Sequence, residues 1–173
     1  MRMAKPQRRH APKVIGWREL IALPEFGIEE LPAKVDTGAR TSALHAVDQI
    51  LFERDGARWV EFMIPLKNRR TTKRLRAPVL EERDIKNTGG VPERRLVVRT
   101  TLVIGQRHWL IDVSLANREK MEFDVILGRS AIRKHSLLVD PGRSYLAGHP
   151  EAKPGKAPAP RKPVPDMFTG EEE

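Results

Sequence analysis

Apolar and polar side chains alternate with a period of two along much of the chain between residues 14 and 149. This alternation is typical of β-strands, and the segments that show it are rich in β-branched residues. The clearest segments are residues 50–52, 59–64, 96–104 and 109–115. Turn residues lie between such segments at Asp55-Gly56, Thr88-Gly89-Gly90 and Gly105-Gln106, and they predict β-hairpins.

Only residues 130–135 predict a helix of more than one turn, with Ser130 as its N-cap. No internal repeat of fixed period is visible. The pattern therefore predicts an all-β fold, a closed barrel or folded sheet of about 135 residues with one short helix.

Composition divides the 173 residues into one domain and two polar ends. Residues 1–13 carry five Lys and Arg and no acid, and residues 150–173 hold six of the 14 prolines. We therefore expect a disordered basic head at 1–13, a domain at 14–149 and a disordered Pro-rich tail at 150–173. Without Cys, disulfides, zinc ribbons and thiol catalysis are excluded. The absence of a long apolar run predicts no membrane span and no secretory signal, hence a cytoplasmic location.

The formal net charge of +9 favours polyanionic partners and excludes no class of enzyme. Within the predicted domain, one basic run contains no acid: Arg69, Arg70, Lys73, Arg74 and Arg76. A dedicated polyanion groove would have aromatic residues interleaved for base stacking, and the run has none. We therefore favour a solvated strand or loop for this run.

The most informative segment is Asp36-Thr37-Gly38, at the end of a short predicted strand. A Thr-Gly turn lets the backbone reverse and holds the carboxylate at the strand end. Chemistry in which two carboxylates share one proton and activate a water needs this placement, because like charges about 3 Å apart divide into one base and one acid. An ordinary turn that starts with Asp uses the same residues, so the tripeptide alone leaves both interpretations open.

A second segment far downstream, Val125-Ile126-Leu127-Gly128-Arg129, favours the catalytic interpretation over the ordinary turn. Together the two segments resemble the retropepsin-like aspartic peptidases, in which the second supports the catalytic loop in a psi-shaped substructure. The resemblance is closest to the bacterial RimB-like family, also described as ATP-dependent zinc proteases and found with ATP-grasp glutamate ligases. The residues that carry it are 34–46, 117–118 with Met121, 127–129, 139–141 and 144–146.

The resemblance implies a homodimer, because the chain has one Asp-Thr-Gly and a catalytic dyad needs two such loops. One Asp36 carboxylate would be the general base for a water, and its mate, protonated, would polarise the scissile carbonyl. Thr37 and Gly38 would fix the two catalytic loops against each other.

The substrate-binding residues implied by the resemblance are Ala39 and Arg40 after the turn and the segment Thr88-Gly89-Gly90. The glycine pair suits the tip of a mobile flap, although a solvated hairpin turn uses the same residues. Arg40 would bind an acidic substrate or support the loop through main-chain carbonyls. His45, a lone His at the end of an apolar stretch, fits a structural role better than a place in the cleft. Association of the family with glutamate ligases implies a glutamylated or acidic peptide or isopeptide as substrate.

The residues give no support to the words "zinc" and "ATP". The chain lacks His-Glu-x-x-His, its five histidines are far apart in sequence, and it has no Gly-x-x-x-x-Gly-Lys-Ser/Thr loop. We therefore expect no metal site and no cofactor. The alternative function is a non-catalytic module that docks on a ribosome or on an ATP-grasp glutamate ligase.

Overall fold

The computed structural model describes residues 13–65 and 73–151. Most of these residues lie in β-strands, with a short 3-10 turn at Pro24–Phe26 and one α-helix. The strands are β1 Lys13–Leu23, β2 Ile28–Val35, β3 Ser42–His45, β4 Val47–Arg54, β5 Ala57–Ile64, β6 Lys73–Lys86, β7 Pro92–Ile104, β8 Arg107–Ala116, β9 Val125–Leu127 and β10 Leu137–Ser144, and the helix is α1 Arg129–Ile132. The predicted all-β fold with one short helix is confirmed. Residues 1–12 and 152–173, which hold most of the expected head and tail, lie outside the described residues.

The strands form one sheet in the order β10-β1-β2-β9-β3-β8-β7-β6-β5-β4. β1 pairs with β7 as well, so that the strands from β1 to β7 in this order close into a ring. Within the ring the short strand β9 lies between β2 and β3, parallel to the first and antiparallel to the second. The two segments that the sequence singled out, at residues 36–38 and 125–129, are therefore neighbours in space.

The three predicted hairpins connect β4 to β5, β6 to β7 and β7 to β8. Asp55 and Gly56 form a two-residue turn, and both have positive φ angles of 51° and 74°. Positive φ at both central residues defines a type I′ turn. Two-residue hairpins favour this turn because its twist matches that of the flanking strands. The turn residues thus had the structural meaning that the sequence predicted.

The helix differs from its prediction at both ends. It spans Arg129–Ile132 instead of residues 130–135, and its N-cap is Gly128, not Ser130. The N–H groups of Arg129 and Ser130 donate to main-chain carbonyls of the loop at residues 39–40. Because these first-turn amides already have acceptors, the helix needs no capping side chain. No helix in the described ranges combines the length and apolar character needed to cross a membrane.

Alternate residues of the strands point into one shared apolar core. The rings of Phe26 and Phe62 meet there edge to face, with centroids 5.5 Å apart. The largest apolar side chains with almost no exposure are Phe62, Ile15, Ile21, Leu23, Ile28, Leu44, Leu102, Leu115, Leu127, Val60 and Val97. Leu44 and Leu127 belong to β3 and β9, so the strand that follows the Asp36 turn and the strand that pairs beside it are anchored in the core.

The carboxylate of Glu19 in β1 is completely buried. Its Oε1 accepts hydrogen bonds from the N–H groups of Gly16 at 2.7 Å and Leu146 at 3.0 Å, and its Oε2 accepts from that of Ala147 at 3.2 Å. A buried carboxylate is tolerated when N–H donors surround it in this way. Glu19 thereby fastens the segment after β10 to β1.

The described part of the basic run lies on an exposed strand, as expected. Arg76 and Arg74 of β6 donate to the Glu61 carboxylate of β5 at 2.7 and 2.8 Å. The hydrogen bond from Arg76 is the largest cause that lowers the pKa of Glu61 below its ordinary value, and the hydrogen bond from Arg74 is the next. Arg69 and Arg70 lie outside the described residues.

Candidate active site

Asp36 is the first residue after β2, and its side chain is half-buried. Its main-chain N–H donates to the carbonyl of Leu127 in β9 at 2.8 Å, which fixes the start of the turn. Its Oδ1 accepts hydrogen bonds from the N–H groups of Gly38 at 3.0 Å and Ala39 at 3.2 Å. Its Oδ2 accepts none within the described residues. The carboxylate is therefore held by one oxygen, while the other can accept a hydrogen bond from outside the turn.

Thr37 and Gly38 form the exposed tip of this turn. A Cβ placed on Gly38 would lie 3.2 Å from Asp36 Oδ1, closer than most real contacts of that kind. Glycine at this position thus lets the amide approach the carboxylate. The three residues predicted as catalytic are together in one turn at the surface.

The segment Leu127-Gly128 packs against the loop that contains the Asp36 turn. The N–H of Gly128 donates to the hydroxyl oxygen of the buried Ser42 at 3.0 Å. A Cβ on Gly128 would lie 2.7 Å from the carbonyl carbon of Thr41, a distance that real Cβ atoms essentially never show. The loop and β9 therefore pack with main chain against main chain. Sequence reasoning missed Ser42, and no sequence signal distinguishes it from other serines.

Arg129, also missed as a site residue, lies at the back of the turn. Its Nη1 donates to the carbonyl oxygens of Thr37 at 2.9 Å and Gly38 at 3.0 Å. The sequence allows Arg40 such a role, but the exposed Arg40 side chain makes no hydrogen bond or ion pair within the described residues. The main-chain support is supplied by Arg129, whose position directly after the Leu-Gly pair was the available signal.

A buried polar cluster lies at the end of β3, around His45, Arg118 and Asp124. Nδ1 of His45 accepts a hydrogen bond from the N–H of Arg118 at 2.8 Å, so this ring nitrogen carries no hydrogen. Burial is the largest cause lowering the pKa of Arg118, and the negative charges of Asp124 and Asp36 act in the opposite direction. Oδ1 of Asp124 is buried without a hydrogen-bond partner in the described ranges. His45 is thus buried and hydrogen-bonded to main chain, as expected of a structural residue.

The segment Thr88-Gly89-Gly90 is the exposed tip of the long β6–β7 hairpin. Asn87, which sequence reasoning missed, shapes it by accepting hydrogen bonds at Oδ1 from the N–H groups of Gly89 at 2.9 Å and Val91 at 3.0 Å. An Asn side chain that accepts from the amide two residues further on is typical of such a turn.

The same hairpin contacts the loop that follows Asp36. Nη1 of Arg83 in β6 donates to the hydroxyl of Thr41 at 3.2 Å. Because Thr41 lies five residues after Asp36, this contact brings one side of the hairpin next to the candidate site. In residues 13–65 and 73–151, no three His, Asp or Glu side chains come together as a metal site requires.

An Asp-Thr-Gly turn at a strand end, held by a hydrophobic-hydrophobic-Gly strand within an all-β ring, defines a protein of the retropepsin-like class. The family model described as "Retropepsin-like aspartic endopeptidase RimB" matches residues 14–150. The chain therefore belongs to the RimB-like family.

Two of the relatives that match this chain are much longer than it is. Two proteins named "Probable alpha-L-glutamate ligase" match it: the one from Desulfotalea psychrophila is 44% identical over 140 residues, and the one from Parasynechococcus marenigrum is 42% identical over 137 residues. The matches cover 80% and 78% of this chain but only 30% and 29% of the relatives, so the chain spans less than a third of their length.

A solved structure of similar size supports the fold assignment. It is a Legionella pneumophila protein with unknown function (DUF785), 28% identical, with a TM-score of 0.68. The match covers 78% of this chain and 97% of the Legionella protein.

Proposed function

We propose that this chain is an aspartic peptidase that acts as a homodimer and hydrolyses peptide or isopeptide bonds. Asp36 of each subunit supplies one carboxylate of the dyad. One carboxylate acts as the general base that activates a water, and the other, protonated, donates to the scissile carbonyl oxygen.

The hydrogen bonding of the Asp36 carboxylate is the observation that supports this proposal. One oxygen is held by two main-chain N–H groups, and the other accepts no hydrogen bond within the described residues. The close packing of Gly128 against the main chain of Thr41 holds the loop that carries this carboxylate. The chain contains a single Asp-Thr-Gly, so the second carboxylate comes from a second copy. Exposed Thr37 and Gly38 are suited to contact the mate's turn.

We infer that the substrate is acidic, because cations flank the turn. Arg40 follows it, is exposed and makes no ion pair within the described residues. Arg83, which is paired with Glu81, reaches Thr41 from the hairpin. Ala39 and Arg40 would line the cleft on one side, and the hairpin tip at residues 88–90 would close over the substrate. A chain of glutamates fits this arrangement, since its carboxylates would pair with the guanidinium groups.

The test compares the wild-type protein with Asp36→Asn on two synthetic peptides that differ only in the tail, oligo-glutamate in one and oligo-glutamine in the other. Products are followed by mass spectrometry, and the oligomeric state by sedimentation. We expect cleavage of the glutamate tail, a bell-shaped dependence of kcat/KM on pH, and a loss of about 10²–10⁴-fold in kcat for Asp36→Asn.

Asp55→Asn is the matched control, because Asp55 has a positive φ in an exposed hairpin turn where Asn is equally tolerated. Its activity should equal that of the wild type. An Asp36→Asn protein with full activity would end the peptidase hypothesis, and an active monomer would end the shared dyad.

A second candidate is a non-catalytic module that docks on a glutamate ligase. The observation in its favour is that this chain matches part of longer proteins named as probable glutamate ligases. Docking through Lys and Arg should weaken steeply as salt increases and should be unaffected by Asp36→Asn, whereas hydrolysis should depend on Asp36. Calorimetry with a purified ATP-grasp ligase at low and high salt distinguishes the two.

A further inference from the structure

Arg129 and Asp36 lie on opposite sides of the same two peptide groups. The carbonyl of Thr37 and the N–H of Gly38 belong to one peptide group, and the carbonyl of Gly38 and the N–H of Ala39 belong to the next. Nη1 of Arg129 donates to both carbonyls, at 2.9 and 3.0 Å. Both N–H groups donate to Asp36 Oδ1, at 3.0 and 3.2 Å.

We propose that Arg129 is a positioning residue that holds the Asp36 carboxylate through these two peptide groups. A cation at a carbonyl oxygen polarises the peptide group and makes the N–H on its other side a stronger hydrogen-bond donor. Hydrogen bonds in series reinforce one another in this way. The guanidinium also prevents the two peptide planes from rotating, so that both N–H groups stay directed at one carboxylate oxygen. The other oxygen, Oδ2, then has a fixed position.

Support of the fold alone does not explain this side chain. The loop and the segment that begins α1 are already joined by main-chain hydrogen bonds: the N–H of Asp36 donates to Leu127, that of Arg129 to Ala39, and that of Ser130 to Arg40. The Arg129 side chain is exposed and covers no part of the core. Its contribution is therefore local to the two peptide groups.

Arginine suits the task better than other side chains would. Its Nη1 carries two hydrogens in a plane, so one nitrogen can donate to two neighbouring carbonyls. Hydrogen bonds from a charged donor are about twice as strong as neutral ones. Because the group is exposed, its effect depends on these direct contacts and much less on long-range attraction.

The test uses four substitutions in the full chain. Arg129→Met removes both the charge and the donor, Arg129→Gln keeps a donor without the charge, and Arg129→Lys keeps the charge and a donor. Arg133→Met is the matched control, since it removes an exposed arginine one turn further along whose side chain makes no hydrogen bond or ion pair within the described residues. The kinetic measurements depend on the proposed peptidase function, whereas NMR of the Gly38 and Ala39 amides does not.

We expect Arg129→Met to lower kcat about 10- to 100-fold with little change in KM, because a misplaced catalytic group slows the reaction without weakening substrate binding. Arg129→Lys should recover most of kcat and Arg129→Gln less of it. In the NMR spectrum, the amide protons of Gly38 and Ala39 should move upfield in Arg129→Met and stay near their original positions in Arg129→Lys and Arg133→Met.

Amide shifts in folded Arg129→Met that match those of Arg133→Met would overturn the proposal, even if the protein hydrolyses peptides. If the Met variant does not fold, the comparison of Gln with Lys decides in the same way, and equal amide shifts in these two would overturn it. If the amide shifts change as expected but no variant or wild-type protein cleaves a peptide, the positioning role holds and the peptidase proposal fails.

Discussion

Replacing Gly128 by Ala tests the close packing between β9 and the Asp36 loop. Gly128 has φ −80° and ψ 173°, a conformation that any residue adopts, so alanine brings no backbone strain. The added Cβ would lie 2.7 Å from the carbonyl carbon and 2.8 Å from the carbonyl oxygen of Thr41, and 2.9 Å from the carbonyl carbon of Arg40. All three are main-chain atoms, so no side chain can rotate away to make room.

The size of the effect follows from two opposing contributions. Overpacking of a tight site typically costs about 1–3 kcal/mol, and contact with rigid main chain places this substitution near the upper limit. Alanine also restricts the unfolded chain, which offsets about 0.4–1 kcal/mol. The free energy of unfolding should therefore fall by about 2 kcal/mol, which lowers Tm by roughly 4–8 °C in a domain of this size.

The measurement is urea denaturation followed by tryptophan fluorescence, with Gly142→Ala as the control. Gly142 is exposed, and the nearest atom to an added Cβ there is at 3.5 Å, so its substitution should leave stability unchanged or slightly raised. A Gly128→Ala protein as stable as Gly142→Ala would refute the reasoning. Because the loop carries Asp36, the proposed activity should fall more than stability alone predicts.

Two further predictions concern charge and pH. Glu19→Gln should destabilise the fold by about 1–3 kcal/mol in urea denaturation, because the new amide N–H groups face the Ala147 N–H and leave that donor without an acceptor; the exposed Glu29→Gln should have no such effect. Burial, followed by nearby positive charges, lowers the pKa of His135, which stacks on Trp109 at 4.3 Å. The folded state thus binds this proton less readily than the unfolded state, so this contribution to stability is present above about pH 6.5 and is lost as the pH falls below it. His135→Phe keeps the stacking and should flatten the loss of stability between neutral and mildly acidic pH; an unchanged slope would contradict the assignment.

Local sequence signals predicted the strands and hairpins because these depend on alternation and turn chemistry. The Asp55-Gly56 turn is an example, since its positive φ angles restrict the choice of residue. Strand β6 was less visible: residues 81–84 are all charged, and their placement depends on pairing with β7. Such cross-strand ion pairs depend on register, which a single sequence does not reveal.

The candidate site was predictable at Asp36 but not in its support. The sequence predicts the start of α1 at Ser130, because helix N-termini generally need a capping side chain. In the structure, carbonyls from a loop far away in sequence accept the first amides instead. The same long-range contact brings Arg129, and not Arg40, to the carbonyls of Thr37 and Gly38. Both features lie where two segments distant in sequence meet, and local chemistry does not reveal such a meeting.

The buried Glu19 carboxylate also determines where the domain can be cut. A truncation after β10 would remove two of its three amide donors, at Leu146 and Ala147, and leave a charge in the core with the Gly16 N–H alone. An uncompensated buried charge costs several kcal/mol, a large fraction of the stability of a small domain. The minimal folding unit for expression or for grafting onto another protein must therefore extend to Ala147.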